Sequence, residues 1–351
     1  MLKKGLLIWT VRRIKGYHVD LPTLWFIIVA YLFAGFLFLE GFDYGVGMLL
    51  PFLSKEDAHR RLVLSSIGGV WDGNEVWMVS AGAVLFASFP AWYATLFSSL
   101  YMVFIVILCG LILRGIGLKF RNQREDRSWR SAWDWMIGGG SFTAAFFWGI
   151  VIGDLLHGIP INDQMVFTGG LKDIFTPFSL LTGTAVALLC LLHGTVYLGI
   201  KISSEALGKV QKVFPFIFFP ALLMAAGFLA AGFFTEGMLR TAPELVFSGL
   251  SVVTLLCCGA LFRKSPLASF WTSGAAIILV GGLVFTHLYP RVLISTLDPR
   301  WSLTIYNASS SAYSLKVMSV VALFFIPTTL LYQGWTYWIL RKRVEKSDLT
   351  Y

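Results

Sequence analysis

Apolar residues dominate this chain in long runs, separated by short clusters of Lys, Arg, Gly and Pro. About 18–20 consecutive apolar residues are enough to cross the hydrocarbon core of a bilayer. Runs of that length fall near 22–50, 63–88, 91–114, 133–155, 176–200, 212–235, 245–262, 267–289 and 313–340. The pattern predicts an all-α polytopic membrane protein with about nine transmembrane helices in one bundle domain, 21–351, after a basic leader at 1–20. Two connections are very short. Phe89-Pro90-Ala91-Trp92 joins the second and third spans, and proline there cannot continue a helix without losing a backbone hydrogen bond. Arg263-Lys264-Ser265-Pro266 joins the seventh and eighth, and the longest connections are 156–175 and 290–312. No internal repeat and no low-complexity tract interrupts the series.

Composition agrees with the pattern. Hydrophobic residues make up 57% of the chain and charged residues 13%, against about 25% charged in soluble domains. The net charge of +9 sits in short loops between the runs, which is the topology signal of a membrane protein and not a nucleic-acid footprint. If the loop after the first span is cytoplasmic, its side of the membrane carries eighteen Lys and Arg and the opposite loops carry five. That places the C-terminus in the cytoplasm and the N-terminus outside. The leader disagrees, since Lys3, Lys4, Arg12, Arg13 and Lys15 would then lie outside. It reads as a weak signal sequence, an interfacial amphipathic segment or a start assigned too far upstream.

Against this apolar background the acids stand out. The first span contains LFLEGFDYGVG and the second, 63–88, contains WDGNEVW, so Glu40 and Asp43, and again Asp72 and Glu75, are three residues apart. That spacing puts each pair one turn apart on one helix face. Counting from the loop between the spans, Asp43 lies about 10 Å deep and Asp72 about 14 Å. Consecutive antiparallel helices are neighbours, so the four acids are expected to form one cluster in the cytoplasmic half of the membrane. Intramembrane acids are expensive, at about 2.5–3.5 kcal/mol each on the insertion scale, and they mark proton or ion paths. A plainer role is also open: the acids cap glycine kinks, or pair with Arg114 and basic loop residues. Asn74, Trp71 and Arg114 are expected to support the cluster by packing or hydrogen bonding.

Other chemistry is thin. His18 and His59 fall in solvent-side segments, and His157, His193 and His287 lie toward span ends, so no facing axial pair for a haem emerges. Cys109, Cys190, Cys257 and Cys258 have no metal-ligand spacing and read as core residues. No metal site is expected. Trp133-Asp134-Trp135 is expected to open the fourth span as an interfacial belt.

Several motifs occur together and in order: EGFDYGVGML (40–49), HRR (59–61), WDGNEVW (71–77), LFASFPAWYA (85–94), an RG…FR stretch (114–121) and WDW (133–135). HGTVYL (193–198), NASSS (307–311) and a closing YW (337–338) follow. Over nearly the whole chain after residue 20 it resembles subunit II of the cytochrome bd-type quinol oxidases. It departs from that pattern at Lys119, where an acid is usual, at Thr176, where asparagine is usual, and in the leader, and none of these departures is expected to touch the acidic cluster.

The resemblance implies a nine-helix subunit in a bacterial or archaeal cytoplasmic membrane. Its partner is a haem-bearing subunit I, with a small single-helix accessory subunit as a further candidate. The complex oxidises quinol and reduces dioxygen to water with cytoplasmic protons. Haems b and d and the quinol oxidation site then belong to subunit I, no cofactor is expected on this chain, and a bound quinone remains open. By motif position, Asp43 and Asp72 correspond to acids on a proton route, with Glu40 and Glu75 beside them. Two other functions compete: a purely structural or assembly subunit, and a proton-coupled transporter, for which no inverted repeat is evident.

Overall fold

The computed structural model describes residues 20–53, 56–202 and 204–344. The leader lies outside the described residues, apart from Asp20, as does His18. Among the described residues twelve α-helices follow one another: α1 (Leu21–Leu53), α2 (Asp57–Gly68), α3 (Trp71–Ser88), α4 (Pro90–Ser99), α5 (Tyr101–Phe120), α6 (Arg127–His157), the single-turn α7 (Leu171–Ile174), α8 (Pro177–Lys201), α9 (Ser204–Thr235), α10 (Ala242–Leu261), α11 (Pro266–Leu288) and α12 (Ala312–Ile339). Eight of these are long and apolar enough to cross a membrane. Helix α3 has 18 residues, about 27 Å at the usual rise. Its polar opening keeps it outside that set, so the expectation of about nine spans holds as an approximate count.

Helices α1, α6 and α8 form the centre of the bundle, with α5 against α6, α9 against α8, and α10 against α11. With no hydrophobic drive between helices in lipid, association depends on close packing, and small residues permit it. The contact between α1 and α8 shows this. A Cβ on Gly45 would come within 2.0 Å of the Cys190 carbonyl oxygen, and one on Gly194 within 2.5 Å of the Gly45 carbonyl carbon. Helix α12 is the opposite case, with Leu315 its one buried residue. It is fastened by polar contacts. Trp25 Nε1 donates to the Leu315 carbonyl and to Ser319 Oγ, both at 3.1 Å. At the other end Lys201 Nζ donates to the Leu340 carbonyl.

Helix starts follow capping chemistry. Asp126 caps α6, Thr241 with Glu244 forms a capping box on α10, and Ser265 caps α11. Thr176, one of the departures, accepts from Ser179 N at 3.0 Å and so keeps the cap that an asparagine would provide.

Two expected spans are each divided. Segment 63–88 is α2 followed by α3, parted at Gly68-Gly69-Val70, where consecutive glycines weaken the helix. Segment 91–114 is α4 and α5, parted at Leu100. Trp133-Asp134-Trp135 does not open a helix, because α6 starts at Arg127. Asp134 is therefore buried two turns inside, against Arg60 at 2.6 Å and Arg121 at 2.5 Å. Arg121 and Arg130 each reach Asp57 at 2.8 Å, tying α2, α5 and α6 together. The two long connections pack on each other, with Ile159 N donating to the Ile294 carbonyl at 3.0 Å. The second of them adds a small antiparallel pair, β1 (Arg291–Leu293) and β2 (Leu303–Thr304), to an otherwise helical fold.

Candidate functional site

Helix α1 carries Glu40 and Asp43 into the core, where neither side chain touches solvent. Glu40 Oε1 pairs with Arg114 Nη1 from α5. Arg114 is among the eighteen Lys and Arg that set the expected orientation as loop charges. It is buried instead, because α5 continues past it to Phe120. Its guanidinium also lies 5.2 Å from the Tyr44 ring and 5.7 Å from the Trp71 ring, within cation–π range.

Asp43 has a different neighbour. Its Oδ2 accepts from Asn74 Nδ2 at 2.6 Å, and Asn74 stands in the first turns of α3. Asn74 Oδ1 in turn accepts from Tyr337 OH at 2.6 Å and Gln333 Nε2 at 3.2 Å, both on α12. Around this pair several buried atoms have no protein hydrogen-bond partner: Glu40 Oε2, Asp43 Oδ1, Tyr44 OH, Trp71 Nε1 and two nitrogens of Arg114. Buried polar groups in proteins are normally satisfied, often by ordered water.

The four acids expected as one cluster are not equivalent. Because α3 begins at Trp71, Asp72 lies in the opening turn and not inside a span. Its side chain is 68% exposed, with Lys119 Nζ at 3.8 Å. Lys119, a departure thought remote from the acids, therefore meets one of them, and it also covers the Trp71 ring at 5.3 Å. Trp71 is buried and has Arg114 and Lys119 as cationic neighbours. Glu75 is partly buried and lies within electrostatic reach of Glu40, Asp43, Asp72 and Arg114. Trp77 packs edge-on to Tyr31 at 5.9 Å. Tyr337, Gln333, Tyr44 and Lys119 were not anticipated as site residues. Tyr44 and Tyr337 fall in the motifs EGFDYGVGML and YW and Lys119 in the RG…FR stretch, whereas Gln333 carries no signal.

The histidines are engaged elsewhere. His193 Nδ1 is 2.8 Å from Ser273 Oγ and its Nε2 3.1 Å from the Phe38 carbonyl, so both ring nitrogens are occupied. His157 contacts Glu236 at 3.1 Å and His287 contacts Glu244 at 2.7 Å. His59, expected toward solvent, is buried beside Glu56. Each of these four histidines thus has a protein partner. Among the described residues, no group of three or more His, Cys, Asp or Glu is arranged to hold a metal ion. A cavity of about 690 Å³ opens between the helices, walled by apolar side chains that include Phe33, Phe36, Trp92, Phe104 and Trp148. The indole nitrogens of Trp92 and Trp148 have no protein partner.

Fold and site define an integral membrane protein: a helical bundle with a buried acid pair near a polar helix opening. Comparison with known proteins is more specific. The family model for cytochrome bd terminal oxidase subunit II matches residues 21–340, and the chain belongs to that family. It is 37% identical over 339 residues to cytochrome bd ubiquinol oxidase subunit 2 of Bacillus subtilis (strain 168), covering 95% of this chain and 99% of the relative. Cytochrome bd-I ubiquinol oxidase subunit 2 of Escherichia coli (strain K12) is 31% identical, covering 93% and 96%. The fold matches a chain in the structure of bd oxidase from Geobacillus thermodenitrificans, with a TM-score of 0.71 at 15% identity and coverage of 89% and 97%.

Proposed function

We propose that this chain is the subunit II of a quinol:dioxygen oxidoreductase, without haem of its own, and that it delivers cytoplasmic protons to the oxygen-reducing centre of a haem-bearing subunit I. The printed names of its relatives, ubiquinol oxidase subunits, support the reaction class. Two quinols give four electrons, and dioxygen with four protons becomes two waters. Bound in subunit I, haems b and d supply the electron transfer and the oxygen chemistry. This chain's part is to carry protons.

Asp43 is the observation that carries the reading. It is buried, balanced by a neutral amide, and has one oxygen without a protein partner. A carboxylate in that setting can take and release a proton without breaking an ion pair. Asp72 forms the exposed entrance, Glu75 lies between, and the unpartnered atoms of Glu40, Tyr44, Trp71 and Arg114 offer a hydrated passage. The Leu53 end of α1 and the C-terminus then face the cytoplasm. The charge imbalance that sets this orientation survives removal of the buried Arg114 and Lys201 from the loop count. Helix α12, with its single buried residue, supplies the face toward subunit I. If this chain holds a quinone, the apolar 690 Å³ cavity suits its tail.

A purely structural role is favoured for one acid only, Glu40, by its ion pair with Arg114. The complex purified by a tag on this chain should contain subunit I and its haem absorption. In Asp43→Asn the same complex should assemble with an unchanged spectrum and consume oxygen at least about tenfold more slowly. Turnover at the wild-type rate would overturn the relay.

A further inference from the structure

The Asn74 amide makes four hydrogen bonds, which fills both its N–H donors and both lone pairs of its oxygen. Nδ2 donates to Asp43 Oδ2 at 2.6 Å and to the Leu39 carbonyl at 3.4 Å. Oδ1 accepts from Tyr337 OH at 2.6 Å and Gln333 Nε2 at 3.2 Å. Only one orientation satisfies this set. Turned over, the amide would set its oxygen against the Asp43 carboxylate and the Leu39 carbonyl, neither of which can donate.

Both fixing donors come from α12, more than 250 positions along the chain from Asn74. Helix α12 buries almost nothing, and an apolar cleft of about 470 Å³ lies between it and helices α1 and α3, with Gln333 and Gly73 among its lining residues. Two polar side chains reaching a single amide on an otherwise loosely packed helix are poorly explained by packing alone.

We propose that Tyr337 and Gln333 are positioning residues for proton transfer at Asp43. They hold the Asn74 NH2 toward Asp43 Oδ2, so that an incoming proton goes to Oδ1, the oxygen with no protein partner. Without them Asn74 Oδ1 has no donor on the α12 side, so once Asp43 is protonated the amide can turn to accept from Asp43 Oδ2–H and hold the proton there. The proton is then held on the wrong side of the carboxyl group and turnover slows. This inference rests on the relay at Asp43 proposed above.

The test uses the whole purified complex, with oxygen consumption per haem measured in Tyr337→Phe, Asn74→Ala, the double variant and Asp43→Asn. Tyr337→Phe removes one hydroxyl and little volume. Its kcat should fall about fivefold, the effect of one neutral hydrogen bond, with quinol KM and haem absorption unchanged. In the Asn74→Ala background the same change should have no further effect, because Tyr337 acts through that amide. A purely structural contribution from Tyr337 would persist there. If Tyr337→Phe fails to assemble, Gln333→Met carries the same cycle with a smaller expected loss of about twofold. Wild-type kcat in Tyr337→Phe, or a full additional loss on Asn74→Ala, overturns the positioning role while a slow Asp43→Asn leaves the relay standing. A fast Asp43→Asn overturns both.

Discussion

Glu40 and Asp43 sit three residues apart on one helix, both fully buried, and they are held in opposite ways. Glu40 meets a guanidinium, and Asp43 meets an amide that is itself held by a distant helix. The Glu40 carboxylate is tied to Arg114 by charge, and neutralising it would strand a cation away from water. Asp43 hydrogen-bonds a neutral amide and makes no direct ion pair, with Glu40 and Arg114 in electrostatic reach. Two similar acids one turn apart thus divide into an anchor and a carrier.

The largest expected effect comes from breaking the anchor. Arg114→Ala strands Glu40, and removing one partner of a buried pair costs about 3–5 kcal/mol. Loss of assembled complex, read as haem absorption in the tag purification, is the expected outcome. The double variant Glu40→Gln/Arg114→Met should recover most of the assembly, since neutral replacement of a whole buried pair is often tolerated. Failure of that recovery would mean the pair does more than balance charge.

A weaker effect is expected at the entrance. Asp72 is exposed and its Lys119 contact is long, so Asp72→Asn should change complex stability by less than about 1 kcal/mol. Oxygen consumption should fall by less than in Asp43→Asn, because solvent and Glu75 remain to feed the path. A loss equal to that of Asp43→Asn would place the essential acid at the surface.

The smallest effect belongs to the His157–Glu236 contact, which fastens the end of α6 to the residue following α9. Burial pushes the Glu236 carboxyl up, but hydrogen bonds from His157 and Thr235 outweigh it and hold the group below its ordinary value. A carboxyl depressed in the folded state contributes stability above the ordinary carboxylate range and loses it as pH falls through the folded value. Glu236→Gln should therefore lower the melting temperature slightly at pH 7, and the difference should vanish in strongly acidic buffer.

Much of this division was invisible along the chain. Apolar runs mark spans because the bilayer sets their length, so the bundle was legible. The breaks at Gly69 and Leu100 were not, since hydrophobicity continues across both. Equal spacing made Glu40/Asp43 and Asp72/Glu75 look alike, yet one pair lies mid-helix and the other opens a helix after a glycine break. Spacing does not reveal where a helix begins. Arg114 looked like a loop charge until its helix proved longer, and Lys119 looked remote until α5 carried it to Asp72. Tyr337 and Gln333 meet Asn74 from the far end of the chain, a contact that no local pattern encodes.

Proton uptake itself is the most direct test. Fully reduced complex is mixed with oxygen beside a pH-indicator dye, and dye and haem signals are followed together. With Asp43→Asn, uptake from bulk water should slow at least about tenfold, while oxygen binding, read from the haem signal, keeps its wild-type rate. Uptake at the wild-type rate in that variant would contradict the assignment of Asp43 as the carrier.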